Sequence, residues 1–404
     1  ALEQITTFVK EDNIDCDFSR QNAYTFTQSE DKVEQIKDEV EAALMLGLPA
    51  SFVTETTLPF SISGAVRFDH QAQFHARKYF LHLAQTIPGD GSYLFEHTRV
   101  KGVDEGDPCQ IKTERGVVQA KDVIVATNLP ILDSGLFFAK TYAKRSYLIG
   151  APIDSDKAPQ GMFISTGSEH YRSIRTTPYD GGTLLIIGGE GHKVGTVQDT
   201  EERMGRLEAY ARSIFNVDEI AYRWSTQDYV SLDKIPFIGK LTPLSNHIYT
   251  ATGFSLWGMT KGTLSGMLLS DLILGRDNPW MELYDATRTS SFFTGESFKE
   301  NVDVAAHWVG DRFTSDVSSL SKVGNDEGKI VTVGADKVAA YRDETGELHT
   351  CSAVCPHLGC IVHWNSAEKS WDCPCHGSRF TYEGEIIHAP TVKKLEKMNL
   401  ETRV

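Results

Sequence analysis

Two short segments near the carboxyl end of the chain concentrate cysteine and histidine, the residue types that bind metals through sulfur and nitrogen. The first segment is Cys355-Pro-His-Leu-Gly-Cys360, and the second is Cys373-Pro-Cys-His-Gly-Ser378. In each segment a histidine follows the first cysteine, two positions later in one and three positions later in the other. Each segment can therefore offer one thiolate and one imidazole, which together make a site with two cysteine and two histidine ligands.

A structural zinc ion and an iron-sulfur cluster are the alternatives for this ligand set. Zinc fingers favour Cys-x(2-4)-Cys with a distant His-x(3-5)-His, whereas here each segment mixes the two ligand types and Gly377-Ser378 follows at once. The pattern resembles the Rieske 2Fe-2S family, in particular the branch found in respiratory quinol:cytochrome c reductases, which carries one extra cysteine in each loop. In Rieske centres two cysteines bind one iron and two histidines bind the other. We therefore expect a Rieske cluster.

The Rieske resemblance implies roles for individual residues. The implied iron ligands are Cys355, His357, Cys373 and His376, and the implied disulfide joins Cys360 to Cys375. In the family a serine hydroxyl donates to a bridging sulfide and a tyrosine hydroxyl donates to a cysteine sulfur, and both bonds stabilise the reduced cluster. Ser378 keeps the first donor, but Phe380 stands where respiratory proteins have tyrosine. The resemblance therefore implies a lower reduction potential than in those proteins.

The composition of the chain limits its function classes. Its 404 residues allow two or three domains, and its net charge of -15 argues against a nucleic acid partner while allowing a basic redox partner. No apolar run approaches the roughly 20 residues of a membrane span, so no span is expected. Five of the seven cysteines lie between positions 351 and 375, which excludes a secreted disulfide scaffold and favours the cytoplasm. No signal peptide is visible, although a chain that starts at Ala1 allows a processed terminus.

Hydrophobic periodicity divides the chain into two regions. Residues 1-300 mix strands with helices, residues 301-317 are predicted to be a helical tether and polar linker, and residues 318-404 are predicted to be a small β domain. The expected fold class is α+β, a partial flavin-oxidase-like domain of mixed sheets and helices followed by an all-β Rieske domain. Helices are predicted at 31-46 and 201-215, and strands at 122-126, 183-188, 247-251, 329-333, 337-341 and 348-351.

Several phrases in residues 1-290 resemble the D-amino-acid oxidase and glycine oxidase superfamily and occur in the order of that family. The phrases are Thr98-Arg-Val100, Val123-Ile-Val-Ala-Thr127, Asp233-Lys-Ile-Pro-Phe-Ile-Gly239, Tyr249-Thr-Ala-Thr-Gly-Phe254 and Trp257-Gly-Met-Thr-Lys-Gly262. Each phrase alone is also compatible with ordinary core and turn structure. A closer resemblance, which covers the whole chain, is to bacterial oxidoreductases in which such a flavin domain is fused to a carboxyl-terminal Rieske domain. The flavin contacts implied by the resemblance are Val100, Ala126, Thr127, Gly253, Gly258, Met259 and Thr260.

One motif of the flavin family is missing from this sequence. The family opens with a strand, a GxGxxG turn and a helix that together bind the flavin pyrophosphate, and nothing here matches that pattern. The glycine-rich stretches at 181-182 and 188-191 are predicted to be turns instead. By comparison with the family the chain begins roughly 100 residues late. We therefore expect a fragment of a longer flavoprotein, with a natural variant as the alternative, and FAD only if the missing segment is present.

The substrate is not identified by the sequence. Amino-acid oxidases of this family place an arginine shortly before the Asp-x-x-Pro phrase to pair with the substrate carboxylate, but Gln227 lies in that approach here. Arg172 and Arg175 could compensate, or they could be surface arginines. His70 and His75, in a segment interpreted as a partly buried helix, are interpreted as packing residues. No general base is assigned.

The coherent expectation is an electron-transfer oxidoreductase. A domain of flavin-oxidase type would pass electrons one at a time through the Rieske cluster to a redox partner protein or a small acceptor. The alternative is a redox-sensing or scaffold protein whose large domain is catalytically inactive. A quinol-oxidising respiratory subunit is disfavoured by the lack of a membrane anchor.

Overall fold

The protein forms two compact units in a computed structural model that describes residues 1-167, 170-290, 295-312 and 314-398. The first unit contains residues 1-94, 146-191 and 201-226, and the second contains residues 95-145, 192-200 and 227-404. The second unit therefore combines the whole carboxyl-terminal β domain with three segments of the preceding region.

The elements are numbered along the chain. The helices are α1 (Leu2–Glu11), α2 (Val33–Met45), α3 (Ala76–Thr86), α4 (Phe137–Lys140), α5 (Thr200–Phe215), α6 (Gly258–Ile273), α7 (Met281–Tyr284) and α8 (Gly295–Gly310). The first fourteen strands are β1 (Ser19–Thr27), β2 (Ala50–Val53), β3 (Gly64–Gln73), β4 (Val100–Asp104), β5 (Cys109–Thr113), β6 (Val117–Ala120), β7 (Val123–Val125), β8 (Thr141–Ile153), β9 (Met162–Ser165), β10 (Arg172–Tyr179), β11 (Gly182–Lys193), β12 (Tyr222–Ser231), β13 (Phe237–Lys240) and β14 (Ile248–Thr252). The strands of the carboxyl-terminal domain are β15 (Glu327–Val333), β16 (Asp336–Arg342), β17 (Leu348–Ser352), β18 (His363–Asn365), β19 (Ser370–Asp372), β20 (Arg379–Thr381) and β21 (Ile386–His388).

The first unit is built on a mixed sheet with the strand order β12-β8-β11-β10-β9-β1-β3-β2. Helix α2 contacts this sheet because Ile36, Val40 and Ala43 recur at helical spacing and bury one face against Val66 of β3. Strands β8, β11 and β12 continue at one end into residues of the second unit.

Two local predictions for this unit are wrong. The glycines at 188-191 lie inside strand β11 rather than in a turn, and Gly189 is needed because a Cβ there would meet the Tyr171 carbonyl oxygen at 2.2 Å. The segment that contains His70 is the end of strand β3, and helix α3 begins only after His75.

The flavin-oxidase-like part of the second unit contains two small sheets, with orders β13-β14-β7 and β4-β5-β6. Strand β14 runs parallel to β7 and antiparallel to β13. Helix α6 covers the first sheet, since Leu268 and Leu269 are buried with Ile238, Tyr249 and Ala251. The parallel pair brings the carboxyl ends of β7 and β14 to the same edge.

The carboxyl-terminal domain consists of two antiparallel sheets, β15-β16-β17 and β18-β19-β20-β21. Its core contains the fully buried rings of Trp371 and Phe380, which face each other across β19 and β20. The all-β prediction for this region and the mixed α and β prediction for the preceding region are confirmed. Among the helices of the described ranges, none is both long and apolar enough to span a bilayer.

Candidate metal centre and its contacts

The two predicted ligand loops have the same backbone construction. The first joins β17 to β18, and the second joins β19 to β20. In the first loop the Cys355 N–H donates to the Cys360 carbonyl (2.8 Å) and the Gly359 N–H donates to the Cys355 carbonyl (2.9 Å). The equivalent bonds of the second loop run from Cys373 N–H to the Ser378 carbonyl (2.8 Å) and from Gly377 N–H to the Cys373 carbonyl (3.0 Å). Both loops use glycine at positive φ, a conformation that glycine adopts without strain.

The cysteines of the loops divide into a disulfide and a thiol pair. Cys360 and Cys375 form a disulfide with a Cα–Cα distance of 6.4 Å, as the resemblance implies. Cys355 and Cys373 are free and buried. Their thiols hydrogen-bond to each other, and this bond is the main cause that lowers the pKa of Cys355 to about 7. The two sulfurs are therefore close enough to bind one iron.

The two histidines complete a set of four donors. The rings of His357 and His376 lie 5.0 Å apart and nearly perpendicular. In the described part of the chain, the Nδ1 atom of each ring is buried without a hydrogen-bond partner. Burial, followed by the neighbouring His357, lowers the pKa of His376 to about 3, which keeps this imidazole neutral as a metal ligand must be. Two thiols and two unpaired Nδ1 atoms fit the ligand set of a 2Fe-2S cluster of Rieske type.

The histidine side of the centre contacts residues that follow β7. Asp133 accepts a hydrogen bond from Nε2 of His357 at 2.9 Å. The ring of Phe138 meets both imidazoles edge to face, with centroids 6.0 Å from His357 and 5.1 Å from His376. Asp133, Phe138, His357 and His376 all belong to the second unit. Within this unit, the β domain contacts the preceding region through its predicted iron ligands.

The second ligand loop is held by strand β12. Tyr229 is 1% exposed, and its hydroxyl donates to the carbonyl of His376 at 2.9 Å. Gln227 donates through Nε2 to the Gly377 carbonyl at 2.8 Å. A Cβ at Gly377 would lie 2.5 Å from the Ala143 Cβ, so the loop lies against β8 without room for a side chain. Gln227, which lies where a substrate-binding arginine was sought, therefore binds the ligand loop.

Ser378 and Phe380 lie on the sulfur side of the centre. The Ser378 oxygen accepts a hydrogen bond from the Thr391 N–H at 3.2 Å, and the Ser378 side chain is a minor cause, after the bond with Cys373, of the lowered pKa of the Cys355 thiol. Both Ser378 and Phe380 are fully buried, and Phe380 packs in the same core as Cys355 and Cys373. A hydroxyl on the ring of Phe380 would be enclosed in that core.

Paired buried charges border the second loop. Arg379 donates to Asp372 at 2.8 Å and to Glu368 at 3.0 Å. Arg145, at the start of β8, also donates to Glu368, through Nε at 2.6 Å. Burial alone would raise the pKa of Asp372, but the charges of Arg379 and Arg145 and the hydrogen bonds from Asn365 and Arg379 together outweigh it, and the net pKa is lowered. A buried pair that loses one partner leaves an uncompensated charge, so these residues are structurally coupled.

The residues expected to contact a flavin lie at one edge of the β13-β14-β7 sheet and beside it. Ala126 and Thr127 follow β7, and Gly253 follows β14 with φ of +75°. Helix α6 begins at Gly258, with Met259 and Thr260 in its first turn, while Val100 begins β4. A Cβ at Gly258 would meet nothing within 4 Å, so a ligand could approach this backbone closely. These residues fit one wall of a flavin site, but the sequence has no GxGxxG turn to bind the pyrophosphate.

The two arginines considered as substitutes lie in the first unit. Arg172 is buried and pairs with Glu190 at 2.7 Å, so it is not a surface arginine. Arg206 binds the other oxygen of Glu190 at 2.8 Å. Arg175 is exposed on β10. The ion pair with Glu190 explains why Arg172 is buried, so its burial does not require a role in substrate binding.

The residues missed by sequence reasoning are Asp133, Phe138 and Tyr229. Each touches a predicted ligand from more than 140 positions away, and no local pattern distinguishes it. The sequence does single out Gln227, because it lies where the oxidase resemblance predicts an arginine.

Comparison with known proteins matches both regions. Residues 1-272 match the family model of FAD dependent oxidoreductases, and residues 314-399 match the Rieske [2Fe-2S] domain. The chain is 34% identical over 407 residues to YhfW of Bacillus subtilis (strain 168), named as a Rieske 2Fe-2S iron-sulfur protein, with 99% of this chain and 79% of that protein covered. It is 40% identical over 85 residues to the cytochrome b6-f complex iron-sulfur subunit of Chlorobaculum tepidum, with 21% of this chain and 46% of that subunit covered.

Solved structures resemble the oxidase-like region in fold. Glycine oxidase from Geobacillus kaustophilus aligns with a TM-score of 0.61 at 17% identity and covers 71% of this chain and 80% of its own. L-proline dehydrogenase from P. horikoshii aligns with a TM-score of 0.57 at 20% identity, over 71% of this chain and 80% of its own. At these identities the likeness concerns the fold alone.

Proposed function

Because this chain belongs to the FAD dependent oxidoreductase family and carries a Rieske [2Fe-2S] domain, we propose that the two regions exchange electrons directly. The observation that supports this proposal is the contact between the predicted histidine ligands and Asp133 and Phe138 of the oxidase-like region. The histidine-bearing iron lies nearest the domain tip in the Rieske family, so this contact covers the side suited to electron entry.

Four residues of the oxidase-like region hold the predicted cluster ligands in place for electron transfer between the two regions. Asp133 holds the Nε2 proton of His357 and thereby leaves Nδ1 as the ligand atom. The ring of Phe138 packs edge to face against both imidazoles. Tyr229 and Gln227 fix the backbone of the second ligand loop. These contacts fix the positions of both imidazoles and of the second ligand loop against the oxidase-like region.

One loop serves both candidate sites. Thr127, an implied flavin contact, follows β7 directly and is held by a hydrogen bond from its hydroxyl to the Leu129 carbonyl at 2.8 Å. Asp133 lies six positions further along the same segment. A bound flavin supplies two-electron oxidation of a substrate, and a bound 2Fe-2S cluster supplies one-electron transfer. FAD binding by this family region remains conditional on a nucleotide-binding unit.

The reading of the protein as a sensor with an inactive large domain is not favoured, since family models match both redox regions. The terminal acceptor, a partner protein or a small molecule, stays a prediction, as do the cytoplasmic location and the assignments of individual cluster ligands and flavin contacts. Gln227 does not replace the substrate-binding arginine, so amines without a carboxylate belong in a substrate panel beside amino acids.

Anaerobic rapid mixing tests the proposal. Cluster-loaded protein that includes a nucleotide-binding unit is mixed with photoreduced FAD, which that unit holds against the oxidase-like region, and the signal of the reduced cluster is followed by freeze-quench EPR. We expect Phe138→Ala to slow reduction by the flavin while reduction by dithionite, a small and non-specific donor, keeps its rate. Ile124→Ala, at an exposed position of β7, is the matched control. Equal flavin rates in the native protein and Phe138→Ala would contradict electron entry on this side.

A further inference from the structure

A group of two histidines and one carboxylate lies outside the Rieske ligand set. His307 is on helix α8, Asp311 follows the end of that helix, and His363 begins strand β18. One oxygen of Asp311 lies 3.1 Å from Nδ1 of His307 and 3.0 Å from Nε2 of His363. We propose that these three residues form a second metal site, for a divalent cation of the zinc class, that fastens helix α8 to the Rieske domain.

The hydrogen bonds of His363 determine which of its nitrogens faces the carboxylate. Nδ1 lies 2.6 Å from the carbonyl oxygen of Gly195. A carbonyl only accepts, so Nδ1 carries the hydrogen, and Nε2 is the ring nitrogen that faces Asp311, as a proton donor while the ring is protonated and as a ligand atom once that proton is lost. A proton on Nε2 satisfies this 3.0 Å contact when no metal is bound, and a divalent cation would take the place of that proton. A backbone carbonyl on the distal ring nitrogen is also the arrangement that orients metal-binding histidines.

The separations suit a small cation. Zinc binds nitrogen and carboxylate oxygen at about 2.0 to 2.2 Å, so neighbouring ligands of a tetrahedral site lie roughly 3.3 Å apart. The observed distances of 3.0 and 3.1 Å need to lengthen by only a few tenths of an ångström. All three ligand atoms lie within 4.8 Å of one another. His307 and Asp311 stand four positions apart at the end of one helix, a spacing that places side chains together.

The site is open enough for an ion and a water molecule to enter. The side chains of His307, Asp311 and His363 are 24%, 20% and 25% exposed. His307 also lines an open cleft of about 550 Å³ together with Lys193 and Thr196. Three protein ligands and one accessible position are typical of zinc sites that keep a water ligand. Two imidazoles and one carboxylate favour zinc over calcium or magnesium, which prefer oxygen ligands.

A second group of similar composition provides the control. Asp343, Glu347 and His349 also lie within ligand distance of one another. However, the Asp343 oxygen that faces the turn accepts hydrogen bonds from the Thr345 N–H, the Thr345 hydroxyl and the Glu347 N–H, all at 2.7 to 2.9 Å. This carboxylate caps the turn between β16 and β17, and its group is not proposed as a metal site.

The proposed ion would link three segments of the second unit. It would join α8 to β18 directly, and the His363 bond to Gly195 would extend the link to residues 192-200. The site does not depend on the proposed electron transfer, because none of its ligands is a predicted cluster ligand. Binding of the metal ion would therefore determine how firmly helix α8 is held against the Rieske domain.

Zinc titration of the full chain with its cluster in place tests the proposal. Labile metal is removed with a mild chelator, zinc chloride is added in competition with a chromophoric zinc chelator, and iron is counted in the same samples. We expect one zinc for every two irons. His363→Gln and Asp311→Asn should each weaken zinc binding by at least about tenfold, whereas His349→Gln should leave it unchanged. Iron content shows that each variant still folds.

Equal zinc affinity in the native protein, His363→Gln and Asp311→Asn overturns the proposal, as does the absence of stoichiometric zinc binding. Uptake of zinc that accompanies iron loss also overturns it, because the ion would then occupy the cluster ligands. X-ray absorption at the zinc edge of the native protein gives a test that needs no variant. We expect nitrogen and oxygen neighbours only, and a sulfur shell would contradict the assignment.

Discussion

Asp133 accepts a hydrogen bond from Nε2 of His357 at 2.9 Å, and this bond joins the oxidase-like region to a predicted iron ligand. The two residues are 224 positions apart in the sequence, so the contact exists only in the folded chain. A carboxylate on the distal nitrogen raises the basicity of a ligating imidazole, which favours the more positive, oxidised metal. We therefore expect the oxidase-like region to influence the redox properties of the neighbouring Rieske domain.

Neutralising Asp133 should raise the reduction potential of the cluster. Asn in Asp133→Asn can still accept the His357 hydrogen bond but removes the negative charge. Because the Asp133 side chain is 49% exposed, solvent limits the effect to at most about 1 kcal/mol, or roughly 40 mV for one electron. Protein-film voltammetry of the full chain measures the change. Glu383→Gln removes an equal charge from an exposed turn of the Rieske domain and serves as the control; an equal shift in both variants would contradict a specific effect.

Removing the Tyr229 hydroxyl should loosen the second ligand loop. Tyr229→Phe leaves the buried carbonyl of His376 without its donor, which costs about 1 to 3 kcal/mol. We expect faster loss of iron to a ferrous chelator at fixed temperature. Tyr249→Phe removes a similar hydroxyl, bonded to the Asn246 carbonyl at 3.0 Å in the β13-β14-β7 sheet, and should not accelerate iron loss. The idea fails if both variants release iron at the same rate.

The elements of the Rieske domain could be predicted because their signals are local. The alternation at 329-333 and 337-341 lies within strands β15 and β16 as observed. The contacts made by Asp133, Phe138 and Tyr229 could not be predicted, since they depend on how distant segments meet. The glycines at 188-191 were misassigned for a related reason. Gly189 must be glycine because a Cβ there would meet the Tyr171 carbonyl oxygen. The local sequence does not show whether a glycine is needed for such a close contact or for a turn.

The cysteines of the ligand loops should differ in their importance. Cys355→Ser or His376→Ala removes a predicted iron ligand that neighbouring residues cannot replace, so we expect colourless or unstable protein. Cys360→Ser removes only the disulfide to Cys375, so a cluster should assemble and be lost more readily. Iron content and the reduced-state EPR signal measure both effects. If Cys360→Ser were as damaging as Cys355→Ser, the division into ligands and disulfide would be mistaken.

Substitutions of Phe380 and Ser378, on the sulfur side of the centre, should shift the reduction potential of the cluster in opposite directions. Ser378 is a buried hydroxyl donor beside the predicted cluster, whereas Phe380 is fully buried in the same domain and has no hydroxyl to donate. A hydrogen bond to a charged group contributes about 1.5 to 3 kcal/mol, and about 1.4 kcal/mol corresponds to roughly 59 mV for one electron. Each bond is therefore on the order of 60 to 130 mV. Because the reduced cluster carries more negative charge, Phe380→Tyr should raise the potential and Ser378→Ala should lower it. Voltammetry of the full chain measures both changes, with Phe380→Leu as the control for altered packing. A Phe380→Tyr protein whose potential is unchanged or lower than that of Phe380→Leu would rule out this position as the site of the missing donor.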